Sequence, residues 1–568
     1  MPSVEFPFGL SRKLSYSSES ASSPTNSESS DLSAEEDELL KELPFLPTSS
    51  DPITEPDIDE LLSDGHVNSK YPTDGFIKFF SLKICSSNAK QMSKYLQLAM
   101  DFKEIAYKGL ENDSRLVGAH VIRNGDVTLE IVNTLETVED DNVLKFPYFE
   151  KDLKQFPQLN ESKYLRDFKI TTNDLVFDFV NSRIESFSVS PNAHYFRRKL
   201  YNKIVSSRAF RNNMFDYNNL ILNVINNSEV IYNDIMECTL IQKFLKTHGE
   251  GVMDISFLVE DVITIFDKAV AAGAGIIRLP KIISDCNGSV RLGTISIPKT
   301  DIQHTLIENI DYTGPFLPNY SESVTQYNSK YYDQMQNIPT VSFQCIDHCV
   351  ENYSWNQMMA QAKLYASLFG FHKYWSADDH DIATDNTALR SIVMASGNGK
   401  IKMPINEPVK SKMRGQIEEF HDFNGGPGVQ HIALRTNDII DTVCALLARG
   451  IEFNTASDKY YTNLERLLRE DDVALFEDFD TLRKLNILVD YDISTRNKKT
   501  GICNYLLQIF TKPLHDRPTL FIEIIQRHHH NGFGKGTFKG LFETIEEQQR
   551  IRGTLVQVDE DDDSQQST

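Results

Sequence analysis

The chain repeats itself, and no other feature narrows its possible folds as much. Residues 249–260 read GEGVMDISFLVE and residues 426–437 read GPGVQHIALRTN. Each is a Gly-x-Gly turn followed by a stretch of alternating side chains that predicts a strand. Each then runs into a helical pattern ending at a glycine, over 261–273 in one and 438–450 in the other. A second pair is FFSLKICSSN (79–88) against QCIDHCVEN (344–352), and a third is HTLIE (304–308) against TLFIE (519–523). Two copies, each made of a strand–helix–strands module used twice, predict an α+β fold. Its unit is a curled, mainly antiparallel sheet with helices outside, present twice in tandem. One segment, about 137–238 and rich in Asn, Phe and Tyr, has no counterpart and reads as a folded or partly folded insertion in the first copy.

A length of 568 residues suits two such domains with extensions. Acidic residues outnumber basic ones 81 to 58, a net charge of −23, which argues against a nucleic-acid partner. The charge is uneven. Between Asp31 and Asp64 there are 12 acidic residues and one lysine, and the run 559–563 is wholly acidic. Residues 1–70 are expected to form a disordered, Ser-rich acidic tail, and 556–568 a second acidic tail. The expected division is a first copy over 71–325, insertion included, and a second over 326–555. No apolar run approaches the roughly 20 residues of a membrane span, and no secretory signal opens the sequence, so a cytoplasmic location without membrane partners is expected. Seven cysteines without a CxxC pair do not describe a disulfide framework.

Set side by side, the copies differ in chemistry. The second carries His348, His431 and Glu523 on its three paired strands; a hand alignment sets Ile84, Asp254 and Glu308 against them in the first. Two imidazoles and one carboxylate, with open positions left over, suit a non-haem Fe(II) centre, and zinc accepts the same donors. The ligands lie 83 and 92 residues apart, which does not choose between the metals. A lone histidine on a strand is more often an ordinary core or surface side chain. Matched positions in a repeat lift these three above that reading. The consecutive His528, His529 and His530 would point to opposite faces of a strand, and the sequence DDHD (378–381) sits in a polar stretch. Both are read as non-catalytic.

Several motifs, in order, carry a resemblance: NGGPGVQHIALRTN (424–437), MPINEP (403–408), YLLQIFTKP (505–513), DRPTLFIEIIQR (516–527) and GFGKGTF (532–538). Together they resemble the 4-hydroxyphenylpyruvate dioxygenases, of the vicinal oxygen chelate fold group, from about residue 76 to 555 apart from the insertion. The resemblance implies a metal-free N-terminal copy and a catalytic C-terminal copy, with metal ligands at His348, His431 and Glu523. It implies substrate contacts at Ser391, Asn406, Gln416, Gln430, Gln508, Phe510, Phe521, Phe533 and Phe538, with Asn406, Gln416 and Gln508 serving catalysis. Strand alternation bears on part of this. Leu506, Gln508 and Phe510 share one face, as do Phe521 and Glu523, whereas Gln430 would face away from His431. Four phenylalanines beside amides suit a slot for a flat ring, and amides hold a phenol without adding charge near an anionic substrate. The glycines of 532–536 would let the last helix, from about 539 to 552, act as a lid.

The implied activity uses one Fe(II) per chain. It turns 4-hydroxyphenylpyruvate and O2 into homogentisate and CO2 by oxidative decarboxylation, ring hydroxylation and side-chain migration, in a homodimer. Two alternatives stand: a 4-hydroxymandelate synthase-like dioxygenase on the same scaffold, or a non-catalytic interaction protein that keeps the fold. The long insertion and an enlarged hairpin at 492–504 depart from the family pattern. Both read as loops, which tolerate length.

Overall fold

The structure, a computed structural model, describes residues 58–62, 74–112, 114, 116–135, 236–323, 338–377, 383–384, 386–534 and 538–557. Most of the expected tails and of the insertion, and the polar stretch 378–381, lie outside the described residues.

The first copy supplies β1 (Phe76–Cys85), β2 (Lys103–Lys108), β3 (Val117–Asn124), β4 (Val127–Thr134), β5 (Gly251–Val259), β6 (Gly275–Asp285), β7 (Gly288–Ser296) and β8 (Gln303–Asn309). A two-residue edge strand, β9 (Ser321–Glu322), follows. The second copy supplies β10 (Cys345–Asn352), β11 (His372–Ala377), β12 (Ala388–Ala395), β13 (Lys402–Val409), β14 (Gly428–Arg435), β15 (Leu488–Asp492), β16 (Asn504–Phe510) and β17 (Phe521–His528). The first sheet runs β9-β2-β3-β4-β1-β5-β8-β7-β6 and the second β11-β12-β13-β10-β14-β17-β16-β15. Without β9 the two orders match strand for strand. In each, a central antiparallel pair (β1 with β5, β10 with β14) is flanked by a parallel partner on either side. This is the tandem α+β arrangement that the repeat predicts, and it agrees with the vicinal oxygen chelate fold that the resemblance implies.

The matched helix signals hold for a physical reason. Asp261 caps the helix Val262–Ala271 by accepting from the backbone N–H groups of Ile263 and Thr264, and Asp438 caps Ile439–Ala448 through Asp441 N–H. Beyond their ends, Gly273 and Gly450 take φ of 105° and 90°, a region that side chains other than glycine avoid. The helix Met358–Phe369 packs between the copies, where Phe76 of β1 lies 5.3 Å from Phe369 and 4.9 Å from Phe371, ring centre to ring centre. One continuous apolar core therefore serves both sheets. Truncating Phe76 to alanine would open a cavity there at a cost of about 3–5 kcal/mol. Within the span expected as a tail, the helical turn Ile58–Leu61 places Leu61 in that core.

The strand register corrects the hand alignment at two of its three positions. His431 pairs with Val350 and Phe521; its counterpart Asp254 pairs with Lys83 and Gln303. Following the pairs outward, Ser81, not Ile84, stands where His348 does, and Thr305, not Glu308, stands where Glu523 does. Both copies carry a β-bulge at the matched place, Phe80 in β1 and Asp347 in β10, and the hand alignment slipped by three residues on each of the two strands. Glu308 corresponds instead to Gln526. Glu308 Oε2 accepts from Val262 N–H at 3.2 Å and Gln526 Oε1 from Ile439 N–H at 2.7 Å, so each ties its strand to the start of the matched helix.

Candidate metal centre

Adjacent strands β10, β14 and β17 close the long sequence gaps between His348, His431 and Glu523. Glu523 Oε2 lies 3.2 Å from His348 Nε2 and 3.3 Å from His431 Nε2. Among the described residues these three form the one cluster of His, Cys, Asp or Glu arranged to share a cation, with ligand atoms within 4.8 Å of one another. Ligands at right angles around a cation with bonds of about 2.1 Å would be about 3 Å apart, so the two Glu523–imidazole distances fit. Glu523 Oε1 is buried with no hydrogen-bond partner, a costly arrangement unless a cation answers it. Burial acts to raise the Glu523 carboxyl, but the two imidazoles outweigh it and bring it down to about 2. The residues present therefore fit a divalent metal.

Neighbouring groups set which imidazole nitrogen faces the centre. His348 Nδ1 lies 2.8 Å from Asp347 Oδ1; a carboxylate only accepts, so Nδ1 carries the proton and Nε2 presents its lone pair. The bulge at Asp347 is what brings two consecutive residues together on one side. His431 Nδ1 donates to Gln430 Oε1 at 3.1 Å, and Gln430 Nε2 donates to Gln416 Oε1 at 3.2 Å. The expectation that Gln430 turns away from His431 is therefore corrected: its side chain folds back onto the ring, and Gln416 joins it.

Aromatic rings wall the ligands. Phe521 stacks on His431 with centroids 4.8 Å apart, Phe510 meets the same imidazole edge-on at 6.0 Å, and Phe533 meets His348 at 5.0 Å. Phe510 pairs with Glu523 across the ladder and Gln508 with Ile525, so both share the ligand's face. Ser391 stands opposite Asn406, and Asn406 opposite Asn352, to which it donates at 3.1 Å. Ser391, Asn406 and Gln508 are all buried. Phe538 opens the helix Phe538–Arg552, and its side chain lies outside the described residues.

That helix lies over the ends of several elements. Phe542 packs with Ala377, Leu389 and Ile417, and Ile545 packs with Leu488 and Phe510. Glu546 accepts from the hydroxyls of Thr384 and Thr387 and from Asn386, and Arg552 pairs with Glu419 at 2.7 Å. His528 and His530 are engaged elsewhere: His528 pairs with Glu477 at 2.8 Å, and His530 Nδ1 accepts from Gly532 N–H at 3.0 Å. An open cleft of about 590 Å³ between Glu465 and Gly501 contains none of the expected site residues.

The first copy lacks this chemistry at every matched position. In place of His431, Asp254 accepts from Ser256 and Thr305 hydroxyls, each at 2.6 Å, so its carboxylate is already satisfied. The register sets Val132 against Asn406, Ala119 against Ser391 and Leu292 against Gln508. The sequence comparison missed Asp347, Asn352 and Arg527; an aspartate directly before a ligand histidine was the one available signal.

Comparison with known proteins bears on the family and the fold. A family model for the Glyoxalase/Bleomycin resistance protein/Dioxygenase superfamily matches residues 346–478. The chain is 37% identical over 470 residues to 4-hydroxyphenylpyruvate dioxygenase of Coccidioides posadasii and 38% over 470 residues to that of Aspergillus fumigatus. Each match spans 83% of this chain and 92% of the relative. The Dictyostelium discoideum enzyme of the same name is 44% identical over 309 residues, 54% of this chain and 80% of that one. Among solved structures, a triple mutant of 4-hydroxymandelate synthase from Streptomyces coelicolor matches with a TM-score of 0.55 at 21% identity, covering 84% of this chain and 99% of that one. At that identity it bears on the fold alone.

Proposed function

The chain belongs to the 4-hydroxyphenylpyruvate dioxygenase family, and from that premise we propose that it converts 4-hydroxyphenylpyruvate and O2 to homogentisate and CO2, with Fe(II) held by His348, His431 and Glu523. The observation that carries the reading is the convergence of both Nε2 atoms on a buried carboxylate with an orphaned second oxygen. The balance closes: the carboxyl group of the 2-oxo acid leaves as CO2, one oxygen atom enters the new carboxylate, and the other becomes the ring hydroxyl. Iron, when bound, would chelate the 2-oxo acid and activate dioxygen, whose four electrons come from the substrate through its decarboxylation and ring hydroxylation.

The chain's own residues bind, orient and exclude water. The rings of Phe510, Phe521 and Phe533 offer apolar walls beside the ligands, suited to a flat substrate ring. Gln508, Asn406 and Ser391, with the Gln416–Gln430 pair, offer uncharged donors and acceptors for the phenol and its product. The C-terminal helix, seated by Glu546 and Phe542, keeps bulk water from the centre. The same reading extends to a cytoplasmic homodimer with no nucleic-acid or membrane partner. The edge strand β6 exposes Ile276, Leu279 and Ile282, which a second copy would cover, and no helix among the described residues is long and apolar enough to cross a membrane. Sedimentation of the purified chain tests the dimer.

The deciding experiment is anaerobic loading with Fe(II), addition of 4-hydroxyphenylpyruvate and O2, and identification of products by mass. Homogentisate with one CO2 per O2 is the expected result. Hydroxymandelate would assign the chain to the side-chain-oxidising reaction, and failure to take up iron would favour a non-catalytic role.

A further inference from the structure

We propose that Arg527 is a positioning residue whose one side chain sets both the aim of His348 and the seat of the segment that leads into the C-terminal helix. This rests on the reading of His348 as a metal ligand. Arg527 lies on β17, four residues beyond Glu523, while Asp347 lies on β10, with β14 between the two strands. Its guanidinium reaches across. Nε donates to Asp347 Oδ2 at 2.9 Å and Nη2 to Oδ1 at 2.8 Å, a two-pronged grip on the carboxylate that orients His348. The remaining nitrogen, Nη1, donates to the carbonyls of His530 at 3.0 Å and Gly532 at 2.6 Å.

The contacts close into a loop. Phe533, next along the chain, lies 5.1 Å from the guanidinium carbon and 5.0 Å from the His348 ring. Asp347, His348, Phe533 and Arg527 therefore touch in sequence, each in reach of the next. Asp347 is almost wholly buried, 1% exposed at its side chain, and Arg527 is 6% exposed, so neither charge has water as an alternative partner. A shift of the 530–534 segment must then pull on the group that aims His348, and a tilt of His348 must push on Phe533. A plain structural ion pair would need only the Asp347 grip; the two carbonyls and the ring are what join it to the chain entering the helix. Lysine keeps the charge but lacks the fork, so it cannot hold two carboxylate oxygens and two carbonyls at once.

The test uses the full-length chain, stripped of metal and titrated with Co(II) under nitrogen. Affinity comes from calorimetry and ligand geometry from the visible spectrum of the bound ion; hydrogen exchange follows the peptide that holds Gly532 and Phe533. In Arg527→Lys, Co(II) should bind about 10- to 100-fold more weakly with an altered spectrum, and exchange around Gly532 should accelerate. In Asp347→Asn the spectrum and affinity should change while the two carbonyl bonds keep exchange near wild type. A folded Arg527→Lys with wild-type Co(II) affinity and spectrum would overturn the proposal, as would a variant in which only the melting temperature moves. A wild-type chain that binds no Co(II) would overturn the metal-centre reading itself, and this proposal with it.

Discussion

His304 of the first sheet and Glu351 of the second reach the same phenol oxygen, that of Tyr365, from 2.9 and 2.7 Å. His304 Nδ1 lies 2.9 Å from the Ile255 carbonyl and Tyr353 donates to the other Glu351 oxygen at 2.8 Å, so the set can be counted proton by proton. With Nδ1 donating to the carbonyl, Nε2 must accept, and only Tyr365 can give. Tyr365 O–H donates to Glu351 Oε1 while that carboxyl is ionised, and can turn to His304 only when the carboxyl holds a proton of its own. Every group is satisfied if the carboxyl keeps its proton and the imidazole is neutral.

The pH dependence of stability tests that count. Burial raises Glu351 from an ordinary 4.5 to about 7, against the pull of its two tyrosines, and lowers His304 from 6.5 to about 4. Folding thus moves one proton from imidazole to carboxyl. Between about pH 4.5 and 6.5 the wild-type pair should leave stability nearly flat, because the two proton changes cancel. Glu351→Gln, whose amide can donate to Tyr365, should expose the histidine alone. The folded chain then binds fewer protons than the unfolded one, and stability should rise with pH from about 4 to 6.5, by roughly 3 kcal/mol. His304→Gln should do the opposite, with stability falling from about pH 4.5 to 7 as the unfolded carboxyl gives up its proton first. Urea melts across this range decide it; parallel profiles for all three chains would refute the shared proton.

The ligand assignment predicts that His348→Ala, His431→Ala and Glu523→Ala each lose iron and turnover together. Gln508→Ala should behave differently, retaining iron while turnover falls about 10²-fold through substrate misplacement. Metal analysis beside single-turnover rates separates the two classes. Full activity in any ligand variant would remove that residue from the centre.

At the C-terminal helix, Glu546→Ala would strand the Thr384 and Thr387 hydroxyls and the Asn386 amide, which converge on its carboxylate. The seat of the helix should weaken by about 1–3 kcal/mol. Faster hydrogen exchange over the helix Phe538–Arg552, with unchanged metal affinity, is the expected result.

Truncation should distinguish tail from domain at a definite point. Removal of residues 1–56 spares Leu61, which is 4% exposed, and turnover should stay near normal. Removal of 1–70 takes that buried side chain away, and the melting temperature should drop. Equal melting temperatures for both truncations would show that Leu61 contributes nothing to the core.

The repeat was legible because it is written in local chemistry: Asp261 and Asp438 at helix starts, Gly273 and Gly450 beyond their ends, alternating strands between. The metal ligands were legible because imidazoles on matched strands are rare enough to notice. Register was not. Ile84 and Glu308 each lie three residues from the true counterparts, Ser81 and Thr305, whose small side chains give no sign of a ligand position. Glu308 misled for a further reason: an acid near the right place looks like a ligand, although its work is to receive the first N–H of the helix that begins at Val262. The face of Gln430 also escaped, since a flexible amide can fold back against the alternation of its strand.

The hydroxyl-bound carboxylate of Asp254 carries a wider consequence. At the position matched to His431 the first copy holds an internal hydrogen-bond cluster in place of an open donor, so a substitution there would be felt through stability. The long segment that departs after β4 and returns before β5 belongs to that half, and it outweighs the enlarged hairpin at 492–504 in the other. Lineages that elaborate this architecture should accumulate their novelty in the same place, and new regulation would arrive there without renegotiating the chemistry next door.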